Sequence, residues 1–178
     1  MTFSLSFNGN LASILAPLAR LESGAALQAG CYAVNHTVAK AKTAVTRALV
    51  QQTGLKSGAI SKEVRQFSAS PGSPAASLRA DGPYHKLSEF MPRQSGDGIS
   101  ASPWNVSRVF AHTFFVPAYG GGVFKRRGSS RFPVAQLWGP AVPKEMIKDL
   151  SLSTWERVLA VELPPRMAHE WGRLMGGG

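Results

Sequence analysis

The sequence of 178 residues is long enough for one globular core but not for two well-stabilised domains, and its single cysteine, Cys31, excludes an intramolecular disulfide. Residues 1–131 carry 15 Lys and Arg against 5 Asp and Glu, whereas residues 132–178 carry 5 of each. The resulting net charge of +10 favours a polyanionic neighbour, nucleic acid or an anionic membrane, although a solubilising surface would have the same composition.

The first predicted elements are helical. Residues 11–20 form a short apolar segment, and a long helix is predicted between Ser23, a good N-cap, and Gly54, a good C-terminal stop. Apolar and small side chains recur along it at spacings of three and four, which favours packing against a sheet or another helix: Leu27, Cys31, Val34, Val38, Ala41, Val45 and Ala48. The opposite face is polar and basic and is expected to be exposed: Asn35, Lys40, Lys42, Thr43, Arg47 and Gln51.

A second, shorter helix is predicted from Leu55 to Phe67, where apolar residues again lie three or four apart. Two helices joined by a turn that contains glycine are also the pattern of a helix-turn-helix DNA-binding motif, although the first helix is far longer than that motif needs. The following residues, 68–103, are rich in Ser, Pro and Gly. We expect an arm or loop there, in which Leu78–Ala80 and Leu87–Phe90 could be short strands.

The clearest strand is predicted at Trp104–Val116, where apolar and aromatic residues alternate with polar ones. Turns at Gly120–Gly122 and Gly128–Ser130 lead to strands at Val123–Arg126 and Arg131–Trp138, so the sequence predicts a three-stranded meander. The core is expected between this sheet and the long helix, and its predicted members are Val34, Val38, Val45, Phe110 and Phe114.

The C-terminal part is predicted to be helical again. A turn opens at Pro143, and Ser153 with Glu156 matches a capping box. Pro164 and Pro165 are expected to kink or divide this helix. Together the elements predict an α+β fold, residues 1–178 in a single domain, in which a long N-terminal helix and a shorter helix pack on a small antiparallel sheet, with a C-terminal helix and extended arms.

The sequence contains none of the usual catalytic patterns. The glycines at residues 120–122 lack the order of Gly, Lys and Ser or Thr that holds a triphosphate, the four histidines lie in four different segments, and Cys31 has no neighbours in a zinc-ligand spacing. We therefore expect no enzymatic activity, cofactor or metal. A signal peptide is not expected, because no positive charge precedes the first apolar stretch, and no apolar run approaches the roughly 20 residues of a membrane span. We expect the protein to be made and folded in the cytoplasm.

The segment from Lys125 to Pro143 is the most distinctive part of the sequence. It joins a basic hairpin, Lys125-Arg126-Arg127-Gly128, to the run Arg131-Phe-Pro-Val-Ala-Gln-Leu-Trp-Gly-Pro-Ala-Val-Pro143. This arrangement resembles the hallmark of the minor tail protein Z family of lambda-like tailed phages. The long helix followed by Thr53-Gly54-Leu55 is also similar to that family, and the resemblance covers about residues 11–175. The Pro-, Gly- and Ser-rich stretch from Ser68 to Gly98 departs from the family pattern.

The resemblance implies a virion structural protein of the tail or neck, a tail-completion subunit made in the host cytoplasm. It implies a homo-oligomeric ring, expected to be hexameric, with double-stranded DNA in its lumen and with neck, tail-terminator or tail-tube proteins as neighbours. The hairpin residues Lys125, Arg126 and Arg127 are the first candidates to face DNA, although a solvated turn would have the same composition. The other candidates are on the long helix: Lys40, Lys42 and Arg47. A free basic nucleic-acid-binding protein, which would use this helix face together with Lys56–Arg65, is the alternative.

Candidate interface residues lie after the meander. A small core is not expected to bury all of the large apolar side chains there, and tryptophan is enriched at the energetic centres of interfaces. At least one tryptophan is therefore expected to be buried only against another chain, and the candidates are Trp138, Pro140, Val142, Trp155 and Trp171.

Overall fold

The computed structural model describes residues 5–6, 24–117 and 120–175, so the apolar segment predicted at residues 11–20 and the C-terminal glycines lie outside the described residues. The fold is α+β, as predicted, with two long helices and small antiparallel sheets. Helix α1 spans Gly24–Thr53, α2 spans Ser57–Glu63, α3 spans Val142–Met146 and α4 spans Asp149–Met175.

Helices α1 and α4 form an antiparallel pair. Near the middle of both helices Lys40 Nζ lies 2.7 Å from Glu162 Oε2, and at the C-terminal end of α1 the Gln52 Oε1 accepts a hydrogen bond from Ser151 Oγ at 2.8 Å. The small side chains of the α1 stripe let the two helices approach closely. Except for the half-buried Leu27, every residue of the predicted stripe is buried: Cys31, Val34, Val38, Ala41, Val45 and Ala48.

The C-terminal end of α1 is held as its sequence suggests. Gly54 has a positive φ of 78°, and its N–H donates to the Val50 carbonyl at 3.0 Å. The Asn105 amide donates to the Gln51 carbonyl at 2.6 Å, in the last turn of the helix, and it shares the Val50 carbonyl with Gly54 N at 3.1 Å.

The predicted second helix is only half helical. Helix α2 ends at Glu63, and strand β2, Val64–Phe67, pairs antiparallel with β3, Ser77–Ala80, whose other edge pairs with β1, Leu5–Ser6. A four-residue run of this composition fits either periodicity, and the available partner strand decides the outcome. Helix α2 has only seven residues, so this segment does not provide the recognition helix of a helix-turn-helix DNA-binding motif.

The arm predicted for residues 68–103 is packed on the core instead. This region contains β3, a 3₁₀ turn at Leu87–Glu89, and a hairpin of two strands, β4 at Arg93–Ser95 and β5 at Gly98–Ala101. Strand β5 also pairs with the next strand of the chain, β6, at Arg108–Ala111. Its buried apolar side chains belong to the same hydrophobic cluster as those of α1 and α4: Leu78, Leu87, Phe90, Ile99 and Ala101. Asn35 was expected to be exposed, but it is half-buried and pins this region, because its amide exchanges two hydrogen bonds with the Ala69 backbone at 2.7 and 2.9 Å.

The long strand predicted at Trp104–Val116 is divided into two strands that belong to different sheets. After a 3₁₀ turn at Pro103–Asn105 come β6 and then β7, Thr113–Val116, and the chain bends between them at His112, whose φ is +57°. The Thr113 hydroxyl stabilises the bend, because it accepts from Ile99 N at 2.9 Å and donates to the Phe110 carbonyl at 2.5 Å. Phe110 and Phe114 are both half-buried, so the prediction that they are buried is wrong, although Phe110 packs against the hydrophobic cluster.

The predicted meander is present, in shorter form. Strand β7 pairs with β8, Gly122–Arg126, and β8 pairs with β9, Val134–Gln136, both antiparallel. Pro133 precedes β9 at the edge of this sheet, which agrees with its lack of an N–H donor. Among the described residues, the strands form three separate three-stranded sheets.

Helix α4 corrects the predicted capping box and the predicted division of the helix at Pro164 and Pro165. It begins at Asp149, so Ser153 lies inside the helix, where its hydroxyl donates to the Leu150 carbonyl at 3.2 Å, and the capping box is not formed. The helix also continues through Pro164 and Pro165. Both prolines are exposed, as are Ala160 and Val161, whose carbonyls lose their helical donors. Those carbonyls lie on the outer side of the helix, where water can hydrogen-bond them.

Candidate DNA-facing hairpin and candidate interface

The basic hairpin is the turn between β8 and β9. Lys125 lies opposite Ala135 and Arg126 opposite Val134, and Arg127 N donates to the Pro133 carbonyl at 3.1 Å. Residues 125–133 are all exposed. The ladder thus fixes the base of the hairpin while its tip extends into solvent.

The positive charge of this hairpin is not neutralised within the described part of the chain. Lys125, Arg126, Arg127 and Arg131 form no ion pair with a described carboxylate. The guanidinium of Arg126 lies 5.4 Å from the centre of the Phe114 ring, a cation–π contact that orients it without removing its charge. Together with His112, residues 125–129 line an open cleft. The cleft is therefore a surface suited to an anion.

The second set of predicted DNA-facing residues is less available. Lys40 is paired with Glu162 at 2.7 Å, and Lys42 is half-buried, whereas Arg47 is exposed. These three residues lie on α1, and among the described residues they share no hydrogen bond or ion pair with the hairpin.

The structure separates the five interface candidates. Trp155 is 2% exposed and Val142 is fully buried, and Pro140 is buried as well. All three fill the interior of their own chain, so they are not candidates for contacts with another chain. The single core is larger than the sequence suggested, because residues 68–103 contribute to it.

The remaining two candidates differ from each other. Trp171 is half-buried and packs against the hydrophobic cluster. Trp138 is 50% exposed, on the strand-like segment that follows β9. Only Trp138, of the five, keeps a large apolar surface open to solvent.

A backbone ribbon that the sequence did not reveal holds Trp138 in place. Residues 84–87 run antiparallel to 137–140, with a bridge between Lys86 and Trp138, and Gly139 N donates to the His85 carbonyl at 2.7 Å. Gly139 is required here, because a Cβ at this position would meet the Phe90 ring at 2.4 Å. The glycine of the Gly-Pro pair in the distinctive segment is thus explained by close packing.

His85 supports this ribbon from its buried side. Its Nε2 lies 3.0 Å from Glu63 Oε1 and its Nδ1 lies 2.8 Å from Glu89 Oε2. The carboxylate of Glu63, followed by that of Glu89, raises the pKa of His85 against the opposing effect of burial. The i, i+4 spacing of His85 and Glu89 is visible in the sequence, but Glu63 is brought to the site only by the fold.

The described residues include no cluster of three or more His, Cys, Asp or Glu side chains arranged to hold a metal ion. In the same part of the chain, no helix combines the length and the apolar character needed to cross a membrane. Comparisons with protein-family models, with curated proteins and with solved structures found no match to this chain.

Proposed function

We propose that the chain is a structural subunit of a phage-type tail or neck, a tail-completion protein whose copies assemble into a hexameric ring around double-stranded DNA. The observation that carries the proposal is the exposed hairpin at residues 125–131, which has four cations without a carboxylate partner among the described residues and lies in the segment that resembles the minor tail protein Z family. The proposal includes no catalytic step and no cofactor. Neck, tail-terminator or tail-tube proteins would be its neighbours in the virion.

The chemistry of the hairpin suits DNA that must move past it. Lys and Arg side chains bind phosphates through charge, which carries no sequence information and lets a duplex slide. The sheet holds the base of the hairpin, whereas the exposed side chains remain free to follow the phosphate backbone.

The alternative, a free nucleic-acid-binding protein, depends on the cations of α1 and α2. Lys40 is paired with Glu162, whereas Lys42, Arg47, Lys56, Lys62 and Arg65 form no ion pair with a described carboxylate. Arg47 and Lys56 are exposed, as are Lys62 and Arg65. The first two are used in the test below. They supply a matched comparison for the hairpin.

The test combines assembly and DNA binding. Sizing and electron microscopy of the purified protein are expected to show rings with weak affinity for free duplex DNA. Arg126→Glu with Arg127→Glu should reduce retention of DNA inside rings or particles, whereas Arg47→Glu with Lys56→Glu, which changes the net charge equally, should not. A monomer that binds duplex DNA tightly, and loses binding only in the second double variant, would support the alternative instead.

A further inference from the structure

We propose that the exposed face of the ribbon formed by residues 84–87 and 137–140 docks an acidic segment of a partner protein, with Trp138 as its apolar anchor. We name this surface the Trp138 face and define it by four side chains: Tyr84, Lys86, Trp138 and Lys144. This inference concerns a different surface from the hairpin and does not depend on the proposed function.

The ribbon places these side chains together. Neighbouring residues of an extended strand point to opposite sides, so Tyr84 and Lys86 share one face while His85 and Leu87 share the other. Burial follows this alternation, because His85 and Leu87 are buried whereas Tyr84 is 42% exposed. Trp138 lies directly across from Lys86 in the bridge and therefore projects from the same face as Lys86.

Two ammonium groups flank the aromatic rings. Lys144 Nζ lies 4.9 Å from the centre of the Tyr84 ring and donates a hydrogen bond to the Tyr84 hydroxyl. Lys86 Nζ is 3.4 Å from the Gly120 carbonyl. The carboxylate nearest to Lys86 in the chain, Glu89, is engaged by His85. The Trp138 face is thus an exposed aromatic surface, and the Lys86 side chain beside Trp138 forms no ion pair with a described carboxylate.

The backbone beneath Trp138 is rigid, which favours an anchoring role. Two backbone hydrogen bonds hold it, from Gly139 N to the His85 carbonyl at 2.7 Å and from His85 N to the Pro140 carbonyl at 3.2 Å. On the buried side of the ribbon, the His85 imidazole contacts the carboxylates of Glu63 and Glu89. A half-exposed tryptophan on a fixed backbone loses little conformational entropy on binding, and tryptophan is among the residues that dominate interface energetics.

Charge and ring geometry favour a protein carboxylate over a nucleic acid. A stacking platform for bases needs successive free ring faces, but one face of Tyr84 is already covered by the Lys144 ammonium. The remaining arrangement is one exposed indole with Lys86 as its cross-strand neighbour. It complements an apolar side chain flanked by Asp or Glu, and the net charge of +10 makes an acidic partner more favourable than a basic one.

The test uses an acidic peptide in which Glu and Asp flank a central Leu-Phe pair, with a charge-reversed Lys peptide and a single-stranded oligothymidylate as comparison probes. The readout is the indole N–H resonance of Trp138, assigned with Trp138→Phe, while the buried Trp155 serves as an internal reference. The acidic peptide should shift the Trp138 signal, and added salt should weaken the binding.

Single substitutions distinguish the contribution of the Trp138 side chain from that of the positive charge. Trp138→Ala should weaken binding of the acidic peptide by about 30-fold, as expected for an interface hot spot. Lys86→Glu should weaken peptide binding several-fold, whereas Arg157→Glu, a charge reversal at an exposed position of α4, should leave peptide binding unchanged. Absence of a Trp138 shift, equal binding of the Lys peptide, or tighter binding of oligothymidylate at Trp138 would each overturn the proposal. A Trp138 shift that depends on protein concentration alone would overturn it in favour of a second copy of the chain.

Discussion

Two adjacent regions, the hairpin at residues 125–132 and the segment at residues 139–146, differ completely in their surroundings. Every residue of the hairpin from Lys125 to Phe132 is exposed, whereas Gly139 to Pro143 are all buried and Met146 is fully buried. They belong to one recognisable sequence block, yet only the second contributes substantially to the core. The difference teaches that the hairpin can be altered to test function, whereas the following segment can be altered only at the expense of folding.

The largest expected effect is the difference in stability between the alanine variants of a buried tryptophan, Trp155, and an exposed one, Trp138. Trp155→Ala should reduce the free energy of unfolding by about 3–5 kcal/mol, because it opens a large cavity in the core. Trp138→Ala, at a half-exposed position, should cost about 1 kcal/mol or less. Chemical denaturation of both variants measures the difference, and equal losses would contradict the burial assigned to Trp155.

A second contrast uses two glycines. Gly139→Ala places a Cβ against the Phe90 ring, and the required shift should cost about 1–3 kcal/mol. Gly128→Ala, in the hairpin, meets nothing within 4 Å and serves as the control. Thermal unfolding of the pair should show a lower Tm for the Gly139 variant only; a normal Tm would mean that the ribbon does not approach Phe90 so closely.

The third prediction concerns pH. Because the folded-state pKa of His85 is raised above its ordinary value, its stabilising effect should be fully present below about pH 6.5 and be lost as pH rises through the raised pKa. His85→Gln should therefore be less stable than the wild type by about 1–3 kcal/mol at low pH, and the difference should shrink at alkaline pH. Denaturation curves across this range provide the measurement. A difference that grows with pH would contradict protonation of His85 between the two carboxylates.

The smallest expected effect on stability belongs to the hairpin. Arg126→Glu with Arg127→Glu should change the free energy of unfolding by no more than about 0.5 kcal/mol per site, because both side chains are exposed and lack ion-pair partners in the described chain. Circular dichroism and chemical denaturation check this outcome. Substantial unfolding would show that the Arg126 contact with Phe114 is structural and would weaken the hairpin as a test of DNA contact.

Helix α1 and the meander could be predicted because their signals are local. The stripe from Cys31 to Ala48 repeats over many turns, and the glycines at residues 120–122 and 128 separate the strands of the third sheet. Strand β2 could not be told from helix, since four residues do not distinguish the two periodicities. The bend at His112 depends on hydrogen bonds that join Thr113 to residues of β5 and β6, which no local pattern reveals.

The candidate sites were predictable in part for the same reason. The exposed hairpin follows from basic residues beside a glycine turn, and its exposure agrees with the structure. Which of the tryptophans is exposed depends on the packing of residues 68–103, a region whose Pro and Gly content suggested an arm. The ribbon that supports Trp138 joins residues about fifty positions apart. No local pattern in the sequence therefore indicates that Tyr84, His85 and Lys86 lie beside Trp138.

The antiparallel pairing of α1 with α4 has a consequence for biosynthesis. A ribosome completes α1 long before it reaches Asp149, so the nascent chain carries the apolar stripe of α1 without the helix that covers it. Domains generally fold as units during translation, and exposed apolar surface promotes aggregation in the meantime. The full fold, with both the hairpin and the Trp138 face in place, therefore forms only after α4 has emerged.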